Sequence, residues 1–312
     1  EAWEAHQRAI DLEPNNPELH WNLAMTLLLA GEYEQGWVEY EWRRRRHPTP
    51  SSPKSAEWGG EPINGKSILL IGEQGAGDAI QFSRYAPILE SEGARIVLQV
   101  HASLRKLFST LGRNITVLRP SDPLPKCDFH AQLMSIPYKR KERFEDLAAP
   151  NSYLSVPSET YEVLPNRKKG TKRIGIAWYG NPDHDNDTNR SCPFGELAPL
   201  FELDKVEWVS LQKEPVQHKI AGMIDPSNQF YSFADTAAVI SQLDLVVSVD
   251  TAVAHLAGAL GSPVWIMLPY SPDWRWLTRR SDSPWYPSAR LYRQLSPGDW
   301  NSVITSIKSD LN

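Results

Sequence analysis

The sequence predicts an α/β protein with two successive parallel sheets behind a short all-α lead. Three observations carry that prediction. From Ser67 onward, short aliphatic runs alternate with helical patterns: SILLIG, a helix from about Asp78 to Glu92, ARIVLQV, Leu104 to Leu111, then ITVL. After a polar, lysine-rich stretch at Asn166 to Lys172 the theme restarts with RIGIAWYG, a helix near Phe194 to Leu203, EWVSLQ, a helix near Thr236 to Gln242, LDLVVSV, another helix and PVWIMLP. Alternation of this kind implies βαβ units. The third observation is the stretch Leu243 to Trp265, where the apolar run Leu245 to Val249 ends in Asp250-Thr251 and feeds a small-residue helix, Ala252 to Leu260, stopped by Gly261. A break near Lys168 leaves a first half at 59–167 and a second at 168–297, each the size of an ordinary domain.

The lead, 1–46, reads as helices. Ala2, Ala5, Ala9 and Ile10 share one helical face, Leu19, Leu23, Ala24 and Leu27-Leu28 form a second, and Tyr33, Gly36, Trp37, Tyr40 and Trp42 mark a third. The turns Pro14-Asn15-Asn16-Pro17 and Gly31 separate them. This order resembles tetratricopeptide repeats, whose period is about 34 residues. Repeats of that type bury their faces on neighbours, so these helices should lean on the following domain or on further repeats. The opening EAWEAHQRAI reads as a helix in progress without a starting Met, which suggests a piece of something longer. Arg43 to Arg46 is expected to be a solvated helix terminus complementing the dipole. A Pro- and Ser-rich linker follows over 47–58, and a closing helix is expected from Asp299 to Leu311, within 298–312.

Bulk properties narrow the partners. A formal net charge of −5 with interspersed signs gives no broad basic face for nucleic acid or an anionic membrane. No apolar stretch is long enough to span a bilayer. Two distant cysteines, Cys127 and Cys192, fit a reducing compartment, so a cytoplasmic protein is expected. Cys127 and His130 have the spacing of half a zinc site, but no second pair matches them.

The chemistry-bearing turns lie where each sheet would present its strand ends. Gly72-Glu73-Gln74-Gly75-Ala76-Gly77-Asp78 follows a strand and opens a helix, yet its glycines run G-x-x-G-x-G. A dinucleotide fingerprint wants G-x-G-x-x-G and an acidic residue about 20 positions on, and a nucleotide-hydrolysing loop wants Gly-Lys-Ser/Thr. Neither is present, so no NAD cofactor is expected. What remains is a glycine turn allowing close backbone approach, with Asp78 either a helix-initiating residue or a catalytic carboxylate. Asp250, Thr251 and Ala252 sit at a helix N-terminus, whose unpaired donors and dipole favour a phosphate. His255, one turn on, reaches the same face or simply packs the helix on its sheet. Asn181 to Ser191 is the most polar loop; Arg190 there suits a phosphate clamp, and His184, Asp185 and Asp187 invite a metal reading that lacks a second ligand cluster. Gln212 and Lys213 end a strand at the same edge and are candidate donor contacts. Trp274, Trp276, Trp285 and Trp300 are read mainly as core, although tryptophan also stacks on sugars and bases.

Gly75-x-Gly77-Asp78-Ala79-Ile80, followed by Asp250-Thr251-Ala252-x-Ala254-His255-Leu256-Ala257-Gly258-Ala259, resembles the glycosyltransferase family that includes the bacterial heptosyltransferases. With the helical lead, Trp274-Arg275-Trp276-Leu277 and Asp282-Ser283-Pro284-Trp285-Tyr286-Pro287, the chain looks like bacterial repeat-containing glycosyltransferases organised like O-linked N-acetylglucosaminyltransferases. That resemblance implies a GT-B architecture, two Rossmann-like domains facing across a cleft, with the closing helix packed back on the first. It implies an inverting, metal-independent transfer from a nucleoside diphosphate sugar to a hydroxyl, with Asp78 as general base. Gly75, Gly77, Asn181, Arg190, Gln212, Lys213, Asp250, Thr251, Ala252 and His255 are the expected donor contacts, and the repeat helices suggest a protein or peptide acceptor. A nucleotide-sugar epimerase of the same fold, or a non-catalytic repeat scaffold, are the alternatives.

Overall fold

A computed structural model describes residues 2–46, 53–147, 149–159, 164–214 and 222–312. The lead consists of α1 (Ala2–Leu12), α2 (Pro17–Ala30), α3 (Tyr33–Tyr40) and the single turn α4 (Arg43–Arg46). Asn16 caps α2 by accepting from the Glu18 N–H, Pro17 occupies its first turn, and Gly31 closes it at φ 87°. α3 packs closely on α2: a Cβ on Gly36 would stand 2.7 Å from Leu28 Cδ2.

The arginine run is not a solvated terminus. Arg43 is 1% exposed and donates to Glu73 at 2.8 Å, Glu41 at 2.6 Å and Ser135 at 2.8 Å. Arg44 pairs with Glu57, Arg45 lies over the Trp42 ring, and Arg46 pairs with Glu18. A guanidinium on a short turn found acidic partners on the next domain, and periodicity within the lead could not reveal them.

The first sheet contains β1 (Ala56–Glu57), β2 (Ser67–Ile71), β3 (Arg95–Gln99), β4 (Ile115–Leu118) and β5 (Phe129–Gln132), ordered β1-β5-β2-β3-β4 and parallel throughout. Its helices are α5 (Ala76–Phe82), α6 (Tyr85–Ser91), α7 (Ala102–Phe108) and α8 (Ile136–Lys139). β1 lies inside the expected linker, whose residues 47–52 fall outside the described ones. The helix expected from Asp78 to Glu92 is two helices. Between them the Ser83 hydroxyl donates to the Ile80 carbonyl, and Arg84 donates to the carbonyls of Gln81 and Trp285, so side chains satisfy carbonyls left at the break. β5 escapes a periodicity reading because Phe-His-Ala-Gln has no apolar run; Asp128 anchors its start by accepting from Ser67 N and Oγ at 2.8 and 2.7 Å.

The second sheet contains β6 (Lys172–Ala177), β7 (Val206–Ser210), β8 (Leu245–Val249), β9 (Val264–Leu268) and β10 (Ala289–Arg293), ordered β10-β9-β8-β6-β7 and again parallel. Around it lie α9 (Asp187–Arg190), α10 (Ala198–Phe201), α11 (Phe233–Ile240), α12 (Ala252–Ala259) and α13 (Trp300–Leu311). α13 does not follow the expected return to the first half. Its apolar face, Trp300, Val303, Ile304 and Ile307, joins Ile174, Leu197, Leu200 and Met267 of the second half, and Lys308 pairs with Glu202 beyond α10. α13 follows β10 directly, so it covers the sheet it has just left.

One core joins the lead to both halves. Tyr33, Trp37 and Tyr40 of α3 pack with Phe82 of α5 and with Trp274 and Trp285 of the second half; Trp37 meets Trp274 edge-on at 5.4 Å and Tyr33 stacks on Trp285 at 6.1 Å. All four tail tryptophans, 274, 276, 285 and 300, are buried. Among the described residues no helix is long and apolar enough to cross a membrane.

Candidate active site

Both sheets reverse their direction of growth beside a central strand. β2 lies between β3 and β5, and β6 between β7 and β8. Ligands of open parallel sheets bind in the crevice at such switch points, outside the carboxyl ends of the strands. The loops there are 72–78 after β2, 178–190 after β6 and 250–252 after β8, and the fold brings them together.

The closest approach is at Gly77. A Cβ there would lie 2.9 Å from His255 Cδ2 and 3.5 Å from Ala252 Cα, so the starts of α5 and α12 meet nearly backbone to backbone. Asp78, three residues into the turn, accepts from the Gly75 N–H through Oδ2 at 2.9 Å, which fixes its side chain at the head of α5. Its other oxygen, Oδ1, is ion-paired with Arg275 from the second half. Arg275 is 6% exposed, stacks over Trp274 at 4.4 Å and gives a second N–H pair to Asp273 at 2.9 Å. Burial works against its charge, but Asp273 and Asp78 outweigh that cost and hold the guanidinium charged.

On the opposite wall, Thr251 is the N-cap of α12 and its hydroxyl lies 3.2 Å from Ser248 Oγ. Burial, reinforced by the charge of Asp273, pushes the Asp250 carboxyl up to about 6. His255 is buried; its Nδ1 is 2.9 Å from the Tyr286 hydroxyl, its Nε2 is 3.8 Å from Asp250, and its ring stacks on Trp276. Burial first, then the arginines 275, 84 and 190, hold its basicity well below the usual histidine range, so the ring is neutral near pH 7.

Arg190 reaches in from the polar loop. It binds Asp187 at 3.1 Å and donates to the Asp250 carbonyl at 3.3 Å. A Cβ on Gly180 would stand 2.4 Å from Arg190 Nη2, so a side chain there would displace the guanidinium. His184, in the same loop, feels Arg190 and the carboxylates of Asp78 and Asp273; desolvation and Arg190 lower its basicity.

Three further expected contacts lie at the ends of β6 and β7. Gln212 is 4% exposed, and its amide accepts from Trp178 N at 2.9 Å and donates to Tyr179 O at 3.3 Å, so it braces the end of β6. Lys213 is exposed beyond β7, and Asn181 is exposed with its side chain accepting from the Asp183 N–H. The sequence reading missed Arg275, Asp273 and Tyr286 as site residues. Arg275 carried a signal: an arginine between two tryptophans, in a turn just after a strand end, has no reason to be solvated. Among the described residues, no group of three or more His, Cys, Asp or Glu is placed to hold a metal ion.

The two-sheet arrangement is that of GT-B heptosyltransferases, and residues 231–277, from α11 to the turn bearing Arg275, match the model of Glycosyltransferase family 9 (heptosyltransferase). Protein FlbA of Caulobacter vibrioides is 24% identical over 344 residues, covering 96% of this chain and 56% of that protein; the chain spans little more than half that relative's length. ADP-heptose lps heptosyltransferase II of E. coli superposes with a TM-score of 0.52 at 16% identity, over 79% of this chain and 97% of that one. TibC of enterotoxigenic E. coli, an iron-containing dodecameric glycosyltransferase, superposes with a TM-score of 0.50 at 12% identity, over 77% of this chain and 66% of its own. At these identities the structural likenesses define the fold.

Proposed function

We propose that this protein is an inverting, metal-independent glycosyltransferase that moves a sugar from a nucleoside diphosphate to a hydroxyl acceptor, with 59–167 as the acceptor half and 168–297 as the donor half. The observation that carries this reading is the apposition, through Gly77, of the head of α5 that bears Asp78 to the start of α12, each at the switch point of its sheet. Asp78 takes the proton of the acceptor hydroxyl as that oxygen attacks the anomeric carbon and the bond to the diphosphate breaks. The departing charge is received by the first N–H groups of α12, the Thr251 hydroxyl and Arg190, fixed donors in a partly buried cleft. Neutral His255 orients the turn through Tyr286 and supplies no charge of its own.

The test is release of nucleoside diphosphate from a panel of nucleotide sugars. Wild-type protein is expected to turn over at least one donor, and Asp78→Asn to lose about 10²-fold or more while still binding nucleoside diphosphate by calorimetry. Normal turnover by a folded Asp78→Asn variant overturns the assigned base.

The acceptor is proposed to be a protein or peptide. What supports this is the lead, whose helices α1 to α3, separated by the turns at Asn16 and Gly31, follow the tetratricopeptide order. Incubation with labelled donor and host lysate is expected to label a protein band; label confined to small molecules rejects a protein acceptor.

A further inference from the structure

We infer that Arg275 is the positioning residue of the base: it reaches from the donor half across the cleft and holds Asp78 ionised in one orientation. The inference rests on the reading of Asp78 as the base. Its first support is that Arg275 has no freedom to serve elsewhere. Its Nε donates to Gln81 Oε1, Nη1 to Asp273 and Nη2 to Asp78, while the plane lies on Trp274. The turn that carries it is clamped in turn by Arg293, which donates to the carbonyls of Trp276, Leu277 and Arg280 at 2.5, 3.0 and 3.0 Å. Leu277 closes that turn at φ 54°, a left-handed conformation a leucine adopts only when its surroundings impose it.

The second support is the count of lone pairs on Asp78. Oδ2 takes the Gly75 N–H and Oδ1 takes Arg275, so each oxygen keeps one acceptor site for a substrate hydroxyl. The third is charge. A single guanidinium stands between two carboxylates, Asp78 and Asp273, so its hold on Asp78 is shared. Tyr40 on α3, His184 in the loop after β6, and Asp250, His255 and Arg190 at the β8–α12 edge lie in the same field. Because Asp78 and Arg275 belong to different halves, the base acquires its geometry only when the two halves are together.

The experiment compares wild type, Arg275→Met, Arg275→Lys and Asp273→Asn. The carboxyl carbon of Asp78, assigned by its loss in Asp78→Asn, is titrated by NMR on carboxyl-labelled protein, and kcat and KM for the donor are followed against pH. Arg275→Met is expected to raise the Asp78 midpoint by about one pH unit, a tenfold rise in proton affinity. The acid limb of kcat should move by the same amount and donor KM should stay within about twofold. Arg275→Lys should restore part of the shift, and Asp273→Asn should move the midpoint down. A merely structural arginine would lower the melting temperature and leave the midpoint where it is, which overturns the proposal. If Arg275→Met does not fold, Asp273→Asn decides: an unmoved midpoint overturns it. A moved midpoint in a protein that turns over no donor upholds the coupling and rejects the transferase reading; an unmoved midpoint with normal turnover rejects the coupling alone.

Discussion

Asp78, Gly77 and Asp250 show how much of a site depends on single atoms. Gly77→Ala would ordinarily favour a helix, but here the added methyl meets His255, which is pinned by Tyr286. The expected result is a loss of about 1–3 kcal/mol in denaturant unfolding, with a raised donor KM because the start of α12 must retreat. Asp250 gives a pH dependence. Its carboxyl is raised by burial to about 6, above the ordinary unfolded value near 3.9. The native state therefore holds the proton more tightly, so this group's contribution is fully present below about pH 4 and is lost as pH rises through about 6. Asp250→Asn removes that loss: the variant should be more stable than wild type at pH 7.5, by up to about 3 kcal/mol, and the gap should close at pH 4. Equal gaps at both pH values would show that burial does not control this carboxyl. Asp78 and the 250–252 turn were legible in sequence because a strand, a turn and a helix start are local patterns. The partners of Arg275 were not, because Gln81 and Asp78 lie almost two hundred positions away.

Among the elements, the helices with clear stops and the aliphatic strands were readable, and β1, β5 and β10 were not. α2 announces itself through Asn16, Pro17 and Gly31, and α12 through its small residues. β5 and β10 carry polar or charged residues at alternate positions, and only pairing with β2 and β9 makes strands of them. The clearest misreading was α4. Four consecutive arginines look solvated, yet Arg43 is buried between Glu41 and Glu73. Arg43→Ala takes the guanidinium away from Glu73, whose side chain is 10% exposed, and should cost about 3–5 kcal/mol. Arg45→Ala, at the same turn but exposed and lying over Trp42, should cost well under that; urea unfolding of the two variants separates them.

At the scale of the whole molecule, the lead supplies aromatic surface to both halves. Tyr33, Trp37 and Tyr40 fill the space between Phe82 and the tryptophans 274 and 285. Removing residues 1–46 should therefore expose that cluster and abolish both solubility and donor turnover, even though no residue of the lead is assigned a contact with the donor. A soluble, fully active product would show that the lead is an appended module; size-exclusion chromatography and a donor-release assay read both outcomes.

The sequence by itself determined the two parallel sheets, the helical lead and the two turns that follow β2 and β8, since hydrophobic period, caps and glycine stops act over a few residues. Tertiary structure alone decided which half α13 covers, what the arginine run binds, and that Asp78 faces an arginine from the other half. Those outcomes depend on which distant surfaces meet. Burial gives an ion pair or an aromatic contact its meaning, and burial is a property of the assembled chain.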